Sequence, residues 1–102
     1  MTRDLPHPVH RNRRELAYRV PFIVERDGAP RYRLRNAGDE PVHWVTVRLL
    51  GPGLLMPVRP CRLPVGAALE LEVLGGELSR ASSLQVSWFR PGGPQYLWRV
   101  TF

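Results

Sequence analysis

Three observations in this 102-residue chain predict an all-β fold, a two-sheet antiparallel sandwich of about seven strands. Apolar and polar residues alternate in short runs, the period-2 pattern of half-buried strands. Clusters of Gly, Pro, Asn and Asp separate those runs and mark turns. No segment carries the 3.6-residue periodicity of a convincing amphipathic helix. The chain is long enough for one core and too short for two. Such a pattern suits a two-sheet sandwich or a small barrel, and the sandwich is the expected form.

Residues 1–14 hold Pro6, Pro8, four Arg and two His with almost nothing to bury, and they read as a flexible basic arm ahead of a single domain at 15–102. Over residues 15–26, Leu16, Tyr18, Val20, Phe22 and Val24 share one face. Pro21 cannot donate to a ladder, so it pushes this strand to an edge or splits it. A helix over residues 16–26 is the main competitor, disfavoured by the same proline and by the β-branched Val20, Ile23 and Val24.

Asp27-Gly28 marks a hairpin turn, and residues 31–36 then alternate, Tyr32 and Leu34 against Arg31, Arg33 and Arg35. Residues 36–41 are rich in turn formers. A third strand over residues 42–50 sets Val45, Val47 and Leu49 opposite Trp44, Thr46 and Arg48. Gly51-Pro52-Gly53 breaks that run, and Pro57, Pro60 and Pro64 predict an irregular crossover over residues 54–65 with a short strand near 54–58. Residues 68–74 point Leu69, Leu71 and Val73 inward and Glu70 and Glu72 outward. Gly75-Gly76 turns the chain into residues 84–89, with Leu84, Val86 and Trp88 opposite Gln85, Ser87 and Phe89. Pro91-Gly92-Gly93-Pro94 leads into residues 96–102, where Tyr96, Trp98, Val100 and Phe102 alternate with Leu97, Arg99 and Thr101.

Leu34-Arg35-Asn36-Ala37-Gly38 before a new strand, residues 69–73 before a Gly turn, and Val86-Ser87-Trp88 hairpinned to Tyr96-Leu97-Trp98 carry a resemblance over residues 32–102. This stretch resembles the small immunoglobulin-like modules of bacteria, including cell-adhesion-related and fibronectin type III domains. The resemblance implies an immunoglobulin-like sandwich and says nothing of a specific role.

All 15 basic residues are Arg, which fits a GC-rich coding bias of the bacterial kind, and the net charge is +6. The surplus is concentrated: residues 1–36 carry +5 and residues 37–102 carry +1. Cys61 is the single cysteine, so no internal disulfide forms and a reducing, cytoplasmic setting is expected. No apolar run reaches the ~20 residues of a membrane span, and residues 1–14 lack the apolar stretch of a secretory signal.

Catalytic chemistry finds little support. His7 and His10 offer two imidazoles without a third ligand, so no metal or other cofactor is expected. Arg59 and Arg62 near Cys61 can lower a thiol pKa, but no spacing brings the one domain histidine, His43, to it as a base. Cys61 reads as a small apolar side chain in the crossover. No phosphate-binding glycine loop and no Ser, His and acid arrangement at a known spacing occurs. The strongest signal is cationic: Arg11, Arg13 and Arg14 in the arm, with Arg31, Arg33 and Arg35 about 6 to 7 Å apart along one strand face, can meet phosphates or an acidic protein surface. Trp88 and Trp98 share the core register, whereas Trp44 is free to join the second sheet or the surface beside that row. The expected function is therefore a non-enzymatic protein-interaction module, docking through a sheet edge or the Arg-rich face onto a partner that is plausibly acidic. The alternative is non-specific nucleic-acid binding through the arm and the Arg31, Arg33 and Arg35 face.

Overall fold

Side chains at alternate positions of the long strands are buried: Tyr32 and Leu34, Leu71 and Val73, Leu84, Val86 and Trp88, Tyr96 and Trp98. The computed structural model describes residues 7–8 and 18–102. These residues form β1 (His7–Pro8), β2 (Phe22–Glu25), β3 (Arg31–Asn36), β4 (Val42–Leu50), β5 (Leu54–Leu55), β6 (Cys61–Leu63), β7 (Ala68–Leu74), α1 (Leu78–Ala81), β8 (Ser83–Phe89) and β9 (Gln95–Thr101). Sheet I has the order β1-β9-β8-β4-β6 and sheet II the order β2-β3-β7-β5, with every pair antiparallel. Their inner faces enclose one core. The fold is thus the all-β, two-sheet sandwich that the alternation implies.

Trp88 is the centre of the core. Phe22 meets its ring edge-on at 4.9 Å, Tyr96 lies 6.0 Å away, and Phe22 also stacks on Trp98 at 6.4 Å. Aromatic pairs in these geometries add to the gain from apolar burial. Burial therefore links β2 of sheet II directly to β8 and β9 of sheet I.

Each strand at a sheet margin contains or is flanked by proline: Pro8 in β1, Pro21 directly before β2, Pro52 and Pro57 around β5, and Pro60 and Pro64 around β6. The strand expected over residues 15–26 is, among the described residues, the four-residue margin strand β2, as Pro21 requires.

Three local features add to what the alternation shows. Asn36, the last residue of the strand expected over residues 31–36 and the first of the turn formers, ends β3 completely buried; its amide donates to the Glu40 and Leu63 carbonyls at 2.9 and 3.0 Å, and its Oδ1 accepts the Gly38 N–H at 3.0 Å. The crossover contains a second strand, β6, beyond the short strand expected near residue 54. A single helical turn, α1, follows Gly75-Gly76 and seats Leu78 in the core. Gly51 makes room for that turn: at φ 94° its missing Cβ would lie 2.3 Å from the Ala81 carbonyl oxygen.

His7 and Pro8 pair with Leu97 and Tyr96. The remaining residues of the arm, Arg11, Arg13 and Arg14 among them, lie outside the described residues.

Candidate functional site

The Arg31, Arg33 and Arg35 row lies on the outer face of sheet II, where β3 runs between β2 and β7. Register sets Arg33 opposite Glu25 on one side and Glu70 on the other, and Arg31 opposite Glu72. Arg35 makes a bidentate pair with Glu25 at 3.0 and 3.2 Å and donates to the Gly66 carbonyl at 2.7 Å. That hydrogen-bonded guanidinium holds the Glu25 carboxyl below its ordinary 4.5. Arg31 faces Glu70 at 3.8 Å. A shallow concavity of about 390 Å³ beside the β2–β3 turn is lined by Glu25, Asp27 and Glu70 together with Arg31 and Arg33. The row thus lies among three glutamates on flanking strands, and two of its arginines, Arg31 and Arg35, are ion-paired.

Trp44 is not beside that row. It sits on β4 in sheet I, 60% exposed, at the point where the register of β4 shifts against both β8 and β6. The shift is a bulge: Val42 and Val45 are both fully buried although three positions apart, which strict alternation forbids. Trp44 absorbs the extra residue with φ 50°. A bulky side chain at positive φ is a conformational outlier costing on the order of 1 to 3 kcal/mol.

Around Trp44 the outer face of sheet I has a composition unlike that of sheet II. Register aligns His43 with Phe89 and Gln95, Thr46 with Ser87 and Leu97, Arg48 with Gln85 and Arg99, and Leu50 with Ser83 and Thr101. Arg62 of β6 lies level with His43 and Trp44, between the Cys61–Val45 and Leu63–Val42 pairs. The Thr46 and Ser87 hydroxyls hydrogen-bond to each other across the strands. Among the described residues, β4, β6, β8 and β9 contain no Asp or Glu at all, and Arg48, Arg62 and Arg99 are exposed. The outer face of sheet I therefore carries three arginines on strands without an acid, whereas on sheet II Arg31 and Arg35 are ion-paired and Arg33 lies opposite Glu25 and Glu70. These arginines escape the sequence reading because no residue-type pattern says which strands become neighbours. The lack of acids in those four segments was the available signal.

Cys61 and His43 do not meet. Cys61 packs inward beside the core, while His43 pairs with Phe89 on the outer face. Burial pushes the Cys61 thiol above its ordinary 9.0. Among the described residues no group of three His, Cys, Asp or Glu side chains could hold a metal ion. No described helix is long and apolar enough to cross a membrane. No protein-family model, no curated protein and no solved structure matches the chain.

Proposed function

We propose that this chain is a non-enzymatic, immunoglobulin-like interaction module that docks a partner protein through the outer face of sheet I, with Trp44 as the anchor. The observation that carries the reading is Trp44 itself: a large aromatic side chain, 60% exposed, held at φ 50° on a bulge. Bulges re-aim side chains next to functional sites, and tryptophan dominates the energetic centres of protein interfaces. Strain at a solvent-facing aromatic gains the fold nothing, which favours a role in recognition.

The immunoglobulin-like assignment is supported by strand neighbours. Taking β2, β3, β7 and β4, β8, β9 as strands A, B, E and C, F, G gives the two layers typical of that sandwich. Two departures stand beside it: the buried tryptophan is on β8 rather than β4, and no disulfide ties the sheets. A cytoplasmic setting belongs to the same proposal and rests on the single free thiol.

Docking through a sheet margin has less support, because the margin strands are short and proline-flanked. Nucleic-acid binding through the Arg31, Arg33 and Arg35 face is weakened by the carboxylates paired with it. The test is affinity capture from native lysate with wild type and Trp44→Gly. Glycine accepts the backbone conformation, so the variant is expected to keep its fold to within about 1 kcal/mol and to lose a reproducibly captured partner. Capture of the same proteins by both forms would sink the proposal.

A further inference from the structure

We infer that the partner presents a carboxylate-rich protein surface to the outer face of sheet I, where Arg48, Arg62 and Arg99 receive it around Trp44. The inference rests on the docking reading above and adds the chemistry of what docks.

Its first support is charge. The three guanidinium groups are exposed and enter no ion pair or hydrogen bond among the described residues, and the four strands presenting them hold no acid. On sheet II, by contrast, the fold pairs Arg35 with Glu25 and Arg31 with Glu70, and sets Arg33 between the same two glutamates. A face that keeps three guanidinium groups and excludes carboxylates is complementary to carboxylates supplied from outside, and guanidinium forks bind them bidentately.

Spacing distinguishes a protein from a nucleic-acid strand. Arg48 and Arg99 flank Gln85 on alternate strands, about 10 Å apart, and Arg62 lies four residue levels away, roughly 14 Å along the strands. These distances are wider than the spacing of successive phosphates along one strand. The same face holds Trp44, Phe89, Leu97 and the paired Thr46 and Ser87 hydroxyls. Aromatic and aliphatic side chains beside arginine, without Asp or Glu on the strands, have the composition of a protein interface.

The experiment titrates the full chain with fluorescein-labelled polyglutamate, and separately with an oligothymidylate of equal charge, by anisotropy at low salt. The Arg48→Gln, Arg62→Gln, Arg99→Gln triple variant is compared with Arg31→Gln, Arg33→Gln, Arg35→Gln, and thermal unfolding verifies both folds. The expected result is saturable polyglutamate binding that shifts the Trp44 indole N–H resonance and weakens about tenfold in the sheet I variant, the sum of three exposed ion pairs. The sheet II variant should change it by less than about twofold. Absence of saturable binding, equal losses in the two variants, or tighter binding of the oligothymidylate overturns the inference. A lysate partner lost with Trp44→Gly but retained by the sheet I triple variant removes only the acidic chemistry and leaves the docking reading standing.

Discussion

Tyr18 and Tyr96 pack ring against ring at 4.7 Å, yet their hydroxyls have opposite fates. The Tyr18 hydroxyl accepts the indole N–H of Trp88 at 3.1 Å, closing the one polar demand of the core tryptophan. The guanidinium of Arg90 lies 4.2 Å over the Tyr18 ring, held there by its 2.7 Å bond to Glu40. The Tyr96 hydroxyl is buried with no hydrogen-bond partner among the described residues.

Phenylalanine substitutions should therefore diverge. Tyr18→Phe strands the Trp88 N–H and is expected to cost about 1 to 2 kcal/mol, whereas Tyr96→Phe deletes an unsatisfied hydroxyl and should be neutral or stabilising by about 1 kcal/mol. Urea unfolding of the two variants measures both. Equal losses would mean that the Tyr96 hydroxyl is satisfied in solution.

The same tyrosine predicts an alkaline instability. Burial raises the Tyr18 phenol above its ordinary 10.0, with the Trp88 hydrogen bond and the Arg90 charge only partly opposing it. Between the unfolded and folded values the unfolded chain binds fewer protons, so stability falls as pH rises. The contribution is complete below the unfolded value and is lost as pH climbs through the folded one. Unfolding midpoints from pH 8 upward should decline in the wild type and decline less in Tyr18→Phe.

Asn36 is expected to be the most sensitive polar position. Asn36→Ala leaves the carbonyls of Glu40 and Leu63 and the N–H of Gly38 without their partner, at a cost of about 3 kcal/mol or more. Thermal unfolding tests it, and a loss below about 1 kcal/mol would show that water replaces the amide.

Trp98→Ala should cost ~3 to 5 kcal/mol, since the ring is buried and stacks on Phe22. A near-neutral result in denaturant titration would place Trp98 outside the core.

Cys61 should react slowly with iodoacetamide at pH 7.5 in the native protein and rapidly in denaturant, because burial shields the thiol and disfavours its thiolate. Equal rates would refute the inward packing of β6.

The bounds of β3 and β7 are legible in the sequence because one face of each is buried and the other wet, and those of β4 because turn formers flank it on both sides. Asn36 follows the same alternation after Tyr32 and Leu34, but a polar residue beside Ala37-Gly38 reads as a turn until its three backbone partners are known. β6 hides between Pro60 and Pro64, where three residues are too few to show a period. Alternation sets Trp44 opposite Val45 and leaves its surroundings open, and nothing in residue type announces a bulge that uses positive φ at a tryptophan. The charge of each strand is readable directly; its compensation is not. Glu25 and Glu70 pair with Arg35 and Arg31 only because β2 and β7 become neighbours of β3, a long-range pairing that local pattern does not encode.

The prolines around β2, β5 and β6, with Pro8 inside β1, bear on behaviour at high concentration. Lateral growth of a β-fibre requires successive free N–H and C=O groups along a margin strand, in a run long enough for an incoming chain to zip onto. Here each margin offers two to four residues before a ring without an N–H interrupts the template. Exposed Ile23 and Leu54 lie on those margin strands, so apolar collisions between copies would fall where backbone templating is interrupted. Edge-to-edge polymerisation is therefore disfavoured by the same prolines that keep the margin strands short.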